Sequence, residues 1–162
     1  MNIAVTGEGI ISAIGFNKQE VLQSLTTKQS GIGMMKHLQS VHRELPVGEV
    51  DLANEQMKEM LGIPVSQMMS RTALMGTIAV RQALMDAGIS VDDILARKKK
   101  GESLRIALVS GTTVGGMDIT ELYFDHIAED DNVSFLRHHD CGSCTNTMAD
   151  YFGIFTEVTT LS

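Results

Sequence analysis

Tryptophan is absent from the 162 residues, cysteine occurs twice, and aromatic residues make up only 4%. Two cysteines cannot build the disulfide framework of a small secreted domain. No apolar run approaches the ~20 residues that a membrane-spanning helix needs, so no membrane partner is expected. The opening Met1-Asn2-Ile3-Ala4-Val5 lacks the basic flank and long apolar core of a signal peptide, and the cytoplasm is the expected location. Basic residues are also scarce: 13 Lys and Arg stand against 20 Asp and Glu, a net charge of −7. Phosphate binding needs the opposite excess, so nucleic acid is not an expected partner. What is present is a globular balance of 43% hydrophobic and 20% charged residues, enough for one domain. The 11 methionines read as a Met-rich core or subunit interface rather than a cofactor box, because a thioether fills irregular apolar gaps.

Ile3-Ala4-Val5-Thr6, ended by Gly7, predicts a buried strand. Asn17-Lys18-Gln19-Glu20 is a capping-box pattern and predicts a helix over 18–26, with Val21, Leu22 and Leu25 on its inner face. Val47 to Val50 reads as a short strand behind Pro46, and a weaker helix is expected near 54–61. The period of Met68, Met69, Leu74, Met75, Ile78, Ala79, Ala83 and Leu84 predicts a long helix over 66–87, with Gly88 as its left-handed C′ residue. One helical turn is expected at 91–95. The basic run Arg97-Lys98-Lys99-Lys100 reads as a solvated loop, or else as a docking patch for an acidic partner. Arg105 to Ser110 predicts a second buried strand, Met117 to Ala128 a helix, residues 129–141 a loop, Thr145 to Phe152 a helix and Glu157 to Ser162 a last strand. Strands alternating with helices imply α/β architecture, with the strands near 2–6, 105–110 and 157–162 adjacent in one largely parallel sheet. A chain ending on an apolar strand without a polar tail is expected to be cut from a longer protein.

Three motifs invite specific chemistry. Gly7-Glu8-Gly9-Ile10-Ile11-Ser12 follows a strand, but its third glycine is replaced by serine. The expected helix also opens about ten residues after Gly7, too far along to meet a pyrophosphate. Cys141-Gly142-Ser143-Cys144 resembles a redox dithiol, and with His138 and His139 it offers four candidate zinc ligands. No strand leads directly into it, and four ligands within seven residues would be crowded. The plainer reading is a polar loop entering a helix, and no metal is expected. Ser110-Gly111-Thr112-Thr113-Val114-Gly115-Gly116 is a glycine-rich turn without the Gly-Lys-Ser/Thr of a phosphate loop. Its glycines are expected to let another backbone segment approach closely.

Taken in order, these pieces resemble a known family. Val5-Thr6-Gly7-Glu8-Gly9-Ile10-Ile11-Ser12-Ala13-Ile14-Gly15 is similar to the V-T-G-x-G-x-x-S-x-x-G opening of β-ketoacyl-acyl-carrier-protein synthases. Ser70-Arg71-Thr72-Ala73-Leu74, running on to Ala83-Leu84-Met85-Asp86-Ala87-Gly88, resembles that family's long helix ending in A-L-x-D-A-G. Ser110 to Gly116 resembles its G-[ST]-x-x-G-G turn. Asn146 to Gly153, followed by Val158 to Ser162, resembles the helix and strand leading to S-T-A-C. Thr156-Glu157 departs from the pattern, standing where the family has Gly-Pro.

The resemblance implies a thiolase-like α/β fold, of which residues 1–162 would be the amino-terminal half: a mostly parallel sheet with helices packed on it. It implies a 3-oxoacyl-[acyl-carrier-protein] synthase, which joins acyl and malonyl thioesters by decarboxylative condensation in fatty-acid or polyketide synthesis. Acyl carrier protein would be the partner, and a homodimer would form through the sheet. No cofactor is implied. The nucleophilic cysteine would fall three residues beyond Ser162, and the catalytic histidines later still, so this segment alone would be inactive. None of His37, His42, His126, His138, His139, Cys141 or Cys144 matches a catalytic position. A non-catalytic partner of the chain-length-factor kind is the alternative. The resemblance also places Val114 beside the acyl pocket and Phe135 where an aromatic crosses towards a partner's pocket. Independently, Val114 is stiff at χ1, and Phe135 is a large ring within a polar stretch. Ordinary core packing would explain both as well.

Overall fold

A computed structural model describes residues 2–124 and 134–162. The chain divides into two compact units. The first holds the residues up to Ile63 together with Ile78–Ile89; the second holds Pro64–Thr77 and Ser90–Ser162.

In the first unit, α1 spans Lys18–Thr27. Asn17 is its N-cap, with the side-chain oxygen accepting from the Glu20 N–H at 3.0 Å. The Glu20 carboxylate reaches back to the Phe16 N–H at 2.7 Å, one residue before the cap. The inner face differs from the expected one. Val21 and Ser24 are buried, whereas Leu22 and Leu25 are 61% and 63% exposed. The Ser24 hydroxyl turns that face inward by donating to the Ile14 carbonyl at 2.6 Å. α2 spans Asn54–Leu61, as expected, and buries Met57 and Leu61.

The expected strand at 3–6 does not form. Ile3 is 92% exposed and Val5 82%, and no described residue pairs with them in a ladder. The reason lies in the residues that follow. The N–H groups of Glu8 and Ile10 donate to Asp86 and Gln82, both at 3.0 Å, so the backbone is held by helix side chains and not by a sheet. Val47–Val50 is also not a strand. Val47 makes one antiparallel bridge with Gly33, and the ladder stops there. Glu49 explains the stop, because its carboxylate takes the N–H groups of Lys36 at 2.8 Å, His37 at 3.0 Å and Leu38.

Burial works against the charge on Glu49, but those three N–H donors and the nearby His37 outweigh it. The carboxyl is held below the usual glutamate range. A depressed folded value contributes stability that is present above the unfolded value and is lost as pH falls through the folded one. Glu49→Gln is therefore expected to lower the melting temperature at pH 7 and to change it little only in strong acid, below the depressed folded value. Thermal melts of both proteins at the two pH values check this; an equal loss at both would remove the charge from the explanation.

The long helix α3 spans Arg71–Asp86, five residues shorter at its start than expected. The Ser70 hydroxyl accepts the Ala73 N–H at 3.3 Å and caps the helix there. At the other end Gly88 has φ of 67°, the left-handed geometry expected of it.

In the second unit, α4 spans Val91–Lys99, so the expected single turn continues through most of the basic run. Those cations sit at the helix C-terminus, where the dipole favours them. Arg97 pairs with Glu102 at 2.7 Å, and the Lys98 ammonium donates to the carbonyls of Gly153 and Ile154. β1 spans Ala107–Gly111 and α5 spans Met117–Tyr123. The rest of the helix expected to reach Ala128 lies outside the described residues. Ser134–His138 forms a 3-10 turn where a loop was expected. α6 spans Cys141–Phe152, four residues longer at its start than expected, and β2 spans Glu157–Leu161.

β1 and β2 pair in parallel, with Ala107 opposite Glu157 and Gly111 opposite Leu161. The strands expected at 105–110 and 157–162 are thus neighbours, and the 2–6 segment is not a third. α6 packs on the pair, and Leu108, Cys144, Met148 and Phe152 are buried. Thr156, at the departure from Gly-Pro, prolongs the ladder by other means. Its N–H donates to the Ile106 carbonyl at 2.7 Å, and its hydroxyl accepts the Ile106 N–H at 3.0 Å.

Candidate functional site

The glycine-rich turn leaves β1 at Gly111 and enters α5 at Met117. Its entry is anchored to the end of the sheet, where the Thr112 N–H donates to the Leu161 carbonyl at 3.0 Å. The Thr112 hydroxyl then bridges the turn. It donates to the Val114 carbonyl at 2.7 Å and accepts the Val114 N–H at 3.1 Å. This fixes the Val114 backbone while its side chain stays 47% exposed.

The last two glycines meet another segment, as the sequence led us to expect. A Cβ on Gly115 would lie 2.3 Å from the His139 carbonyl oxygen and 2.5 Å from that of Asp140. A Cβ on Gly116 would lie 2.3 Å from the His138 carbonyl oxygen, to which the Gly116 N–H already donates. Only residues without a side chain permit that approach. Residues 138–140 in turn lead into α6. The Ser143 hydroxyl lies 2.9 Å from the His138 carbonyl and 2.7 Å from that of Asp140. The Thr120 hydroxyl is 3.1 Å from His139 Nδ1.

Below the turn, α6 is joined to both strands by hydroxyl groups. Thr145 is fully buried, and its hydroxyl lies 2.9 Å from that of Ser110 and 2.6 Å from that of Thr160. Sequence reasoning missed this trio. Its signal was a threonine on the buried face of a helix otherwise lined by Cys144, Met148 and Phe152, since a hydroxyl there must find partners.

Phe135 is 5% exposed, with its ring stacked on Tyr123 at a centroid distance of 5.8 Å. The element that carries it joins the turn that carries Val114 through the Gly116–His138 hydrogen bond. The other singled-out residues go elsewhere. His37 lies 3.2 Å from Asp51 and His42 lies 3.3 Å from Glu44, both in the first unit. His126 lies outside the described residues. Cys141 and Cys144 occupy the first turn of α6 as free thiols. Among the described residues no three His, Cys, Asp or Glu side chains converge as a metal site would require.

The family described as beta-ketoacyl synthase, N-terminal domain, matches residues 1–154. The 3-oxoacyl-[acyl-carrier-protein] synthase 1 of Buchnera aphidicola subsp. Baizongia pistaciae is 32% identical over 114 residues, 70% of this chain and 26% of the relative. The enzyme of the same name from Escherichia coli K12 is 37% identical over 87 residues, 53% of this chain and 21% of the relative. The chain thus spans about a quarter of the length of the curated relatives it matches. Among solved structures, the ishigamide ketosynthase/chain length factor superposes with a TM-score of 0.72 at 22% identity, covering 98% of this chain and 39% of that one. A type II polyketide acyl-carrier protein in complex with its ketosynthase superposes with a TM-score of 0.54 at 16% identity, covering 95% and 40%. At these identities the likeness concerns the fold, which is α/β and thiolase-like, with helices packed on a parallel pair of strands.

Proposed function

The chain belongs to the β-ketoacyl synthase family, and from that premise we propose that it is the amino-terminal segment of a 3-oxoacyl-[acyl-carrier-protein] synthase. The observation that carries this reading is the family match over residues 1–154, joined by 32% identity to a named synthase across 70% of the chain. The proposed reaction of the whole protein is decarboxylative condensation of acyl and malonyl thioesters, in fatty-acid or polyketide synthesis. Acyl carrier protein is the proposed partner, supported by a structural relative that is itself a ketosynthase in complex with a carrier protein. Assembly as a homodimer through the sheet, in the cytoplasm, belongs to the same proposal.

In such a condensation a cysteine holds the acyl chain as a thioester, and histidines assist loss of carbon dioxide from the donor. This chain offers neither in the proposed place. Cys141 and Cys144 precede β2, which should deliver the nucleophile, and His37 and His42 face carboxylates of their own. The proposed share of residues 1–162 is therefore wall and interface. Val114 stands half exposed at the turn and limits the acyl chain; Phe135, proposed to cross towards a partner's pocket, is 5% exposed in the single chain and packs on Tyr123. The second reading, a chain-length-factor-like partner subunit, is kept because one structural relative carries both names.

One assay with acyl and malonyl carrier protein tests the proposal. Full-length parent protein is expected to condense them, and the purified 162-residue chain is not. Turnover by the chain alone would overturn the division of roles, and a full-length protein active only beside a second synthase would favour the partner reading. In the full-length enzyme, Val114→Phe is expected to cut kcat/KM for the longest acyl chains about tenfold or more, since each refused methylene costs ~1–3 kcal/mol. The shortest primer should remain usable. Unchanged product lengths in a stably folded variant would remove Val114 from the pocket without touching the family assignment.

A further inference from the structure

The Cys141-Gly142-Ser143-Cys144 run is left unused by the proposed condensation, and the structure changes what it can do. Read from sequence it lies in a loop; observed, both cysteines belong to the first turn of α6. With a rise of 1.5 Å per residue and a Cα radius of 2.3 Å, residues i and i+3 of an α-helix have Cα atoms about 5 Å apart. A disulfide needs them roughly 4.4–6.8 Å apart. The Cα spacing meets that requirement, while the Cβ atoms of such a pair stand about 5–6 Å apart against the ~3.5–4.5 Å of a bridge, so the first turn tightens as the bond closes. The inner thiol is already aimed back along the helix, with Cys144 Sγ 3.0 Å from the Cys141 carbonyl oxygen to which it donates. The two sulfurs also differ in access. Cys141 is half-buried, whereas Cys144 is 2% exposed. A reachable thiol one turn from a sheltered one suits attack at the first and resolution by the second. These 162 residues hold no other cysteine, so a bridge within them joins this pair.

We propose that Cys141 and Cys144 form a reversible dithiol–disulfide site whose exchange partner is a low-molecular-weight disulfide. The Cys141 thiolate, its proton lost to solvent, attacks one sulfur of the external disulfide. A mixed disulfide forms and one thiolate leaves. Cys144 then gives up its proton to solvent and attacks Cys141 Sγ, forming the internal S–S bond and releasing the second thiolate. The chain loses two electrons and two protons, and the external disulfide becomes two thiols. The bridged form gives up the hydrogen bond from Cys144 to the Cys141 carbonyl. The Ser143 hydroxyl keeps its contacts with the carbonyls of His138 and Asp140, so the change stays within one turn. This inference stands on the helix geometry and is independent of the condensing reaction.

The test uses the full-length parent, with Cys141 and Cys144 followed by peptide mapping, in graded mixtures of oxidised and reduced glutathione at neutral pH. The expected result is a fall from two free thiols to none at these two positions, a peptide mass lower by two hydrogens, and no covalent dimer on a non-reducing gel. Cys144→Ser should accumulate a glutathione adduct at Cys141. Cys141→Ser should react at least about tenfold more slowly, because its remaining thiol is reached only through local opening. Circular dichroism checks that both variants keep their helix content, and the thiol count of the unmutated chain decides the matter if either does not. Two thiols that stay free in the oxidising mixtures would overturn the proposal. So would oxidation solely as intermolecular dimers, or equal rates for the two folded variants.

Discussion

Gly9→Ala is expected to destabilise the chain by about 3 kcal/mol, the upper end of what overpacking usually costs. A Cβ at this position would lie 1.9 Å from the Ala79 carbonyl oxygen and 2.8 Å from the Ala83 nitrogen. Both are backbone atoms of α3, and neither can rotate away as a side-chain tip could. Gly7 makes the same approach one pleat earlier, with a Cβ that would lie 2.2 Å from the Ala83 carbonyl oxygen. Alternate residues of an extended segment face the same way, which is why the glycines stand two apart. Between and after them, Glu8 and Ile10 donate to Asp86 and Gln82, one helical turn apart. The Gln82 amide returns a bond to the Phe16 carbonyl at 2.6 Å. Lys18 holds Asp86 ionised, its ammonium and the Glu8 N–H keeping that carboxyl below the usual aspartate range. A methyl at position 9 must lift the segment off α3 and break these bonds together. Thermal unfolding should show a loss of roughly 6–12 °C. Gly33→Ala is the control, because its Cβ would meet nothing within 4 Å; it should stay within about 0.5 kcal/mol of the parent. Equal melting temperatures for the two variants would refute the close approach.

Those same glycines show how far the sequence could be read. Their spacing excluded a nucleotide loop, and the structure turns them against a helix instead. What misled the reading of 3–6 was composition. Ile3, Ala4 and Val5 are good strand residues, but a strand exists only where a ladder partner exists, and pairing is not a local property. Val47–Val50 failed in the same way, because one carboxylate, Glu49, captured the neighbouring N–H groups. Signals carried by single residues fared better. Asn17 and Glu20 located the start of α1, and Gly88 located the end of α3, because caps are decided within a few residues. The inner face of α1 was read correctly at Val21 and lost at Leu22 and Leu25 for a related reason. Leu22 and Leu25 are more apolar than Ser24, yet a single hydroxyl bond to the Ile14 carbonyl turned the helix the other way.

In the candidate site, motif order carried the family and the glycine turn, and side-chain detail was less visible. Phe135 looked unusual because its sequence neighbours are polar, but burial depends on what lies across space, and Tyr123 lies there. The start of α6 was placed four residues late because Cys-Gly-Ser-Cys has weak helix propensity. The local bonds of the Ser143 hydroxyl to the residues before the helix and the tertiary contact of Thr145 with Ser110 override that preference.

Gly115→Ala is expected to be the most disruptive change in the second unit, again by about 3 kcal/mol. Its Cβ would lie 2.3 Å from the His139 carbonyl oxygen, 2.5 Å from that of Asp140 and 2.6 Å from the Asp140 carbonyl carbon. The turn cannot retreat, because Thr112 is tied to the end of β2 through the Leu161 carbonyl and Val114 is tied to Thr112. Residues 138–140 must therefore yield. They carry the carbonyl that receives the Gly116 N–H and the two that face the Ser143 hydroxyl, so the entry to α6 loosens with them. Farther along α6, Thr145 remains held by Ser110 and Thr160, and the damage should fade within about one turn. Hydrogen exchange separates this from uniform weakening. In Gly115→Ala the amides of residues 141–144 should lose protection well beyond the fall in global stability, while those of 148–152 should follow the global fall alone. Gly111→Ala, whose Cβ would meet nothing within 4 Å, should leave both sets unchanged. Uniform loss along the whole of α6 in Gly115→Ala would show that the turn does not set the start of the helix.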